Sequence, residues 1–465
     1  MQIFNGAAAG RSIYSLLLAL CAPLVWLWMA RRARRAGGDW QILGRTRFGR
    51  YPHAATQAAP VWIHAVSLGE TRAAEPLVRA LLQRGLPVLL THTTATGRAE
   101  GARLFGQALQ DGQLAQAWLP YDFPGATRRF LAHFQPRCGV LIEREIWPNL
   151  LAAARRRRVP MVLASARFSD SSLAQARWLG PVFREALAGL AAVLAQTPAD
   201  AERLRQAGAT DVEVLGNLKF DVSLPAAQLA AGQAWRAALG RPALVIASTR
   251  EGEEAPLVRA LAAALLHHAT GGVHASTAAS AHAAAQDAPA HAESASPIAS
   301  VTSSAPPLCF VVPRHPQRFD AAAQALEQAG LTMLRRSAQP GPPPATVQAV
   351  LGDSLGEMPF YYAACDVAIV AGSFAPFGGH NLIEACAAGR PVIVGPHTEN
   401  FKQAVEDALA AGAALRAADA DEALRLAFAL LADPARRTRM AEAARAWIAG
   451  HAGATERIVA RLPLA

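Results

Sequence analysis

Beyond residue 60 the chain alternates two kinds of stretch. Short apolar runs, "VWIHAV" (61–66), "PVLLTHTT" (87–94), "CGVLIE" (138–143), "PMVLASA" (160–166) and "AVLAQT" (192–197), read as buried strands. Between them lie stretches with apolar residues at helical spacing, such as "TRAAEPLVRALLQRG" (71–85) and, further on, "DADEALRLAFALLAD" (419–433). Strands interleaved with helices predict parallel sheets covered on both faces. The rhythm pauses across "SLPAAQLAAGQAWRAALGRPA" and restarts with "LVIAS", "LCFVVP", "VQAVLGD", "VAIVAGS" and "PVIVGP". The expected fold class is therefore α/β, with two Rossmann-like domains at 37–224 and 242–465 and a linker at 225–241. Ligands bind such sheets at the carboxyl ends of the strands, so the cleft between the domains is the expected site.

Two segments break the pattern. From Ile13 to Ala30 the chain carries no charge over about 18 residues, the lower limit for crossing a bilayer. Trp26 and Trp28 stand near its end and "RRARR" (31–35) follows. Residues 1–36 therefore read as a membrane helix with a basic flank, and the positive-inside rule puts the rest in the cytoplasm. A cleaved signal peptide would carry its basic cluster before the apolar run. The second segment, His267 to Pro307, is Ala, Ser, His and Pro with almost no large apolar residue. It reads as a disordered insertion at 268–307 in the second domain, rather than as a His-rich metal tract.

Composition narrows the partners. The net charge of +10 suits an anionic ligand or surface. Lys219 and Lys402 are the only lysines among 45 basic residues, so each is a candidate position for a compact ammonium, with chance under an arginine bias as the alternative. The five cysteines show no metal-binding spacing and read as reduced thiols.

The polar motifs fall just after strands. "SLGE" puts Glu70 at a helix entry, where a carboxylate also serves as a cap. "LIEREIWPN" puts Glu143 and Glu145 after an apolar strand. "GNLKFD" holds Lys219, and "PRHP" an arginine and a histidine. "GDSLGEMP" precedes a helix beginning near Glu357. In "GSFAPFGGHNLIEACAAG" the glycines let a ligand approach the backbone. A helix starting near His380 offers its N-terminus to a phosphate, and Glu384 offers an acceptor to a sugar diol.

Taken in order, "HAVSLGE", "LPYDFPGATRRFL", "EREIWPNL", "SARFSD", "GNLKFD", "ASTREGEE", "PRHPQRF", "GDSLGEM", "GGHNLIE" and "GPHTENF" resemble the Kdo transferases, which move 3-deoxy-D-manno-octulosonic acid (Kdo) in lipopolysaccharide biosynthesis. The resemblance implies a GT-B glycosyltransferase fold, a CMP-Kdo donor bound mainly by the second domain and a lipid A precursor bound mainly by the first. It implies Glu70 as general base, with Glu143 and Lys219 stabilising the transition state. It implies CMP contacts at Pro313, Arg314, Leu355, Gly356, Glu357, Asn381, Leu382, Ile383 and Glu384. No metal, cofactor or nucleic acid is expected, and the inner membrane with its anionic lipids is the expected location. Arg144, Arg250 and Leu382 stand where the family usually has Thr, His and Pro. A soluble nucleotide-sugar epimerase would share the nucleotide motifs without the anchor. A tethered nucleic-acid binder would need more aromatic residues than the 6% present.

Overall fold

The computed structural model describes residues 2–52, 58–269, 305–339 and 341–464. Most of the insertion expected at 268–307 lies outside the described residues. Two compact units emerge, Met1–Ser223 with His451–Ala465, and Leu224–Gly450.

In the first unit, seven strands form one parallel sheet in the order β3-β2-β1-β4-β5-β6-β7. They are β1 (Val61–His64), β2 (Val88–His92), β3 (Leu114–Trp118), β4 (Cys138–Ile142), β5 (Met161–Ala166), β6 (Ala192–Ala195) and β7 (Val212–Val214). The second unit repeats the plan in the order β10-β11-β9-β8-β12-β13-β14. Its strands are β8 (Ala243–Thr249), β9 (Leu308–Pro313), β10 (Met333–Arg335), β11 (Ala349–Leu351), β12 (Val367–Val370), β13 (Val392–Val394) and β14 (Ala414–Arg416). Each sheet has a point where the strand order reverses, between β1 and β4 in one and between β8 and β12 in the other. Ligand crevices in open α/β sheets form at such points.

Every inner strand was legible as an apolar run. The four that were not are β3, β7, β10 and β14, the outer strands of the two sheets. An edge strand packs against one neighbour and needs less apolar surface. The three residues of β10, for example, are all half-buried, whereas β1 is buried throughout.

Two boundaries differ from expectation. Residues 225–241 hold a helix, Ala226–Leu239, rather than an open linker. Trp235 on it is buried against Phe310 and Phe360, and Arg236 forks onto Asp366 at 2.8–3.1 Å. On the same face Gly232 lets the backbone of helix Met358–Ala364 come close. The chain end also returns to the first unit. Helix Ala454–Arg461 buries Ile458 and Val459 in the same apolar cluster as Leu77 and Leu81, and Asp221 accepts from the backbone N–H groups of Gly453 and Thr455 at its start.

The N-terminal helix, Gln2–Ala36, contains the span Ala9–Arg34, which is long and apolar enough to cross a membrane. Cys138, Cys309, Cys365 and Cys386 are buried free thiols and Cys21 an exposed one.

A Cβ on Gly232 would meet the Phe360 carbonyl oxygen at 2.4 Å. Gly232→Leu is therefore expected to destabilise the second unit by about 1–3 kcal/mol, as overpacking does. Urea denaturation followed by Trp fluorescence reads this, and an unchanged midpoint would restore the linker description.

Candidate active site

In the first unit the residues expected to do chemistry meet at the strand reversal. Ser67 caps helix Leu68–Gln83, its hydroxyl accepting from Glu70 N–H. The Glu70 carboxylate turns back to accept from Val66 N–H at 2.6 Å and from the Ser67 hydroxyl at 3.3 Å. This is close to a capping box, so the capping role and the chemical one fall on the same side chain. Burial pushes the Glu70 carboxyl up to about 8, and the nearby Glu145 and Glu143 charges push the same way.

Those two acids follow the end of β4 at Ile142, where the chain turns. Glu143 takes φ of 63°, a left-handed conformation that costs a residue with a side chain about 1–2 kcal/mol. It is held there from β5, since Glu143 N–H donates to Ala164 and Arg167 N–H donates to Glu143. The turn aims the Glu143 carboxylate at Lys219, whose ammonium lies 2.5 Å away with both side chains largely buried. Glu145 accepts from the Trp147 indole at 2.9 Å and lies 3.8 Å from His64 Nε2. Burial raises Glu145 to about 7 and lowers His64 to about 3, so His64 is neutral at neutral pH.

Lys219 is positioned by a network that sequence reading did not assemble. Ser165 at the end of β5 takes φ of 51°, at a break in the register with β6. Its hydroxyl accepts from Leu218 N–H and from Gln196 Nε2. Asn217 donates to Gln196 Oε1 and accepts from Lys219 N–H. The carboxyl ends of β4, β5 and β6 thus jointly fix one ammonium. The signals were present in "SAR", "AQT" and "GNLK", but none states a partner.

The second unit gathers two arginines and two histidines at its own reversal. Arg250 follows β8, Arg314 and His315 follow β9, and His380 follows the glycines after β12. Burial and then the charges of Arg314, Arg250 and His315 push His380 down to about 3, which places all four in one electrostatic neighbourhood. Glu384 and Arg314 both act on the buried Tyr362 phenol. Asn381 accepts from Ile383 N–H at 3.1 Å and donates to Glu384 at 3.3 Å. The helix starts at Ile383, three residues later than expected, so Glu384 sits in its first turn. Leu382 and Ile383 are buried. The glycines serve the backbone itself, because Gly372, Gly378 and Gly379 are all left-handed, and a Cβ on Gly372 would strike the His380 ring at 2.3 Å.

Leu355 and Gly356 are exposed beside Glu357, which caps helix Met358–Ala364, accepts from the Ser354 hydroxyl and lies 3.7 Å from Arg336. Pro313 ends β9, and Arg314 N–H donates to Thr249.

Glu253 was missed altogether. Its buried carboxylate accepts from the backbone N–H groups of Arg250, Gly372, Phe374 and Ala375 at 2.8–3.2 Å. It ties the loop after β12 to the loop after β8. Nothing in "STREGEE" separates it from Glu251, which is exposed. Among the described residues no group of three or more His, Cys, Asp or Glu side chains is placed to hold a metal ion.

Residues 44–222 match the family model described as 3-deoxy-D-manno-octulosonic-acid transferase (kdotransferase), and residues 328–447 match that of glycosyl transferases group 1. The chain is 62% identical over 450 residues to the 3-deoxy-D-manno-octulosonic acid transferase of Bordetella pertussis, covering 96% of this chain and 97% of that one. It is 29% identical over 400 residues to the enzyme of the same name from Haemophilus influenzae, covering 84% of each. Among solved structures it is similar to the UDP-GlcNAc 2-epimerase of Neisseria meningitidis bound to UDP-GlcNAc, with a TM-score of 0.53, 14% identity, and coverage of 86% of this chain and 99% of that one. That last likeness is one of fold.

Glu253→Ala leaves the Gly372, Phe374 and Ala375 N–H groups without their acceptor. Hydrogen bonds to a charged group contribute about 1.5–3 kcal/mol each, so a loss of at least about 2 kcal/mol in unfolding free energy is expected. Urea titration checks it, and a loss within about 0.5 kcal/mol, the range of an ordinary surface change, would show that the tie is dispensable.

Proposed function

Because the chain belongs to the 3-deoxy-D-manno-octulosonic acid transferase family and is a glycosyltransferase of lipopolysaccharide biosynthesis, we propose that it moves Kdo from CMP-β-Kdo to a lipid A precursor, lipid IVA, with inversion at the transferred carbon. Its two parallel-sheet α/β units are of the GT-B class. The observation that carries the reading is the meeting of Glu70, Glu143 and Lys219 at the strand reversal of the unit that matches the Kdo transferase model.

In this reading the acceptor binds the first unit and Glu70 takes the proton from its attacking hydroxyl. A half-buried carboxyl raised to about 8 suits that task, since a base works best with its pKa near the operating pH. Positive charge develops at the sugar as CMP departs, as in other glycosyl transfers. Glu143 and its partner Lys219 form a preorganised dipole that can meet the changing charge. The second unit takes the nucleotide. Arg314, with Arg250 and His315 nearby, faces the phosphate, and Glu384 accepts from the ribose hydroxyls. Pro313, Leu355, Gly356, Glu357, Asn381, Leu382 and Ile383 shape the remaining CMP contacts, and the exposed Leu355 side chain offers an apolar surface to the base. No metal or other cofactor enters the scheme. The apolar N-terminal helix and the +10 charge support association with anionic inner-membrane lipids on the cytoplasmic face.

Glu70→Gln keeps the size of the side chain but cannot accept a proton. A fall in kcat of about 10²- to 10⁴-fold with donor affinity retained is expected. For the unaltered protein, kcat is expected to rise with pH and level off above about 8, because the base must be ionised. Stability moves the other way. The raised Glu70 carboxyl stabilises the fold in full below its ordinary value and loses that contribution as pH rises through about 8. Glu70→Gln should therefore gain melting temperature relative to wild type at about pH 9 compared with about pH 5. Near-normal turnover in Glu70→Gln would move the base to another carboxylate.

Glu384→Gln should weaken CMP binding, read by calorimetry, before it lowers kcat. Unchanged CMP affinity would remove the ribose contact from the scheme.

A further inference from the structure

The N-terminal helix does not stand clear of its unit. Arg11 pairs with Glu185 at 2.7 Å, the Tyr14 hydroxyl donates to the buried Asp122 at 3.0 Å, and Ser15 accepts from Asn149 Nδ2 at 2.9 Å. Further along, Trp26 packs on Phe48 and Tyr121 with ring centroids 5.8 Å apart. The Met29 sulfur lies 3.9 Å from the Tyr121 hydroxyl. These residues recur at helical spacing and form one stripe against the unit. From Arg11 to Met29 the stripe runs about 27 Å at the helical rise of ~1.5 Å per residue, close to the thickness of a bilayer core. A helix crossing the membrane in this arrangement would carry Asp122, Asn149 and Glu185 into hydrocarbon, where polar groups are costly.

The opposite face is apolar and open, with Leu16, Leu20 and Leu24 each 60–71% exposed. At the start of the same helix lies a cavity of about 430 Å³, lined among others by Arg11, Ser15, Arg128, Asn149 and Arg156. Arg128 and Arg156 are exposed, and among the described residues neither has a carboxylate partner. Cationic groups beside an open leucine face match a phosphate joined to acyl chains better than either half alone.

We propose that the N-terminal helix lies along its unit in the plane of one leaflet rather than across the bilayer, and that the arginine-lined cavity at its start holds the phosphate of an anionic phospholipid in that leaflet. The leucine face enters the acyl region while the cavity stays at headgroup level, and polar side chains on the inner stripe keep their partners in the unit. A peptide phosphate would satisfy the arginines but leave the leucines in water.

The full-length protein, with a protease-cleavable tag ahead of Met1, is added from outside to vesicles of phosphatidylcholine with or without phosphatidylglycerol. With the helix in plane, protease added outside removes the tag from every bound molecule. A tag protected until detergent is added would mean the helix crosses, and would overturn the first half of the proposal. For the second half, Arg128→Glu/Arg156→Glu should lose most of the preference for phosphatidylglycerol vesicles, roughly fivefold for each arginine. Binding to phosphatidylcholine through the leucine face should remain. Arg128→Gln/Arg156→Gln, with unchanged melting, guards against a folding artefact and should lose a smaller part. Full retention of the preference in both variants overturns the cavity assignment. So does its abolition by inorganic phosphate at constant ionic strength, which would mark a site for the free ion, and so does displacement by a phosphopeptide from either kind of vesicle.

Discussion

Where neighbouring strands of a parallel sheet lead away in opposite directions, their carboxyl ends open a gap that the sheet itself does not fill. Each unit has one such gap, and each must bring polar groups out of water to use it. The first unit places three carboxyl groups within electrostatic reach of one another and supplies one lysine. Glu143 takes that lysine as a partner. Glu70 and Glu145, left to share a half-buried space, answer by holding their protons longer. The second unit meets the same problem with Glu253, saturated by backbone N–H groups from both sides of the gap. One gap thus holds carboxyl groups that keep their protons, and the other is braced by a carboxylate held from both sides.

Backbone strain follows the same logic. Glu143, Ser165 and Ser248 are residues with side chains that adopt left-handed conformations directly at or after strand ends. The β5 and β8 strands both slip register there. An extended strand would send successive side chains to opposite faces. The twist at Glu143 and Ser165 instead turns polar atoms toward the gap, and hydrogen bonds from the neighbouring strand hold them there. Such conformations persist only where the surroundings over-determine them.

Inner strands, their order of appearance and the polar motifs behind them were legible because burial on both faces demands continuous apolar runs. Edge strands were not, since one-sided packing leaves a weak pattern in segments as short as "VEV". The helix at 226–239 was hidden because only Gly232 and Trp235 on it are buried, and the alanines that fill its exposed faces give no apolar stripe. Among the polar residues, Glu70, Glu143 and Lys219 could be named from their motifs. Their electrostatic coupling could not, because it arises from strands that lie far apart in the chain. Glu253 shows the limit most clearly, since its neighbour Glu251 has the same chemistry and the opposite environment.

The return of the last helix to the first unit has a consequence for how the chain is made. Residues His451–Ala465 cover the apolar face of helix Leu68–Gln83 and receive the Asp221 carboxylate at their start. On the ribosome, domains fold as their residues emerge. Here the whole of Leu224–Gly450 can emerge and fold while the unit begun before it is still missing its final piece. The unit that starts first is completed last, and its apolar seam stays open until residues 451–464 emerge. A stop just after residue 450 would therefore leave the second unit whole and the proposed acceptor-binding one unsealed.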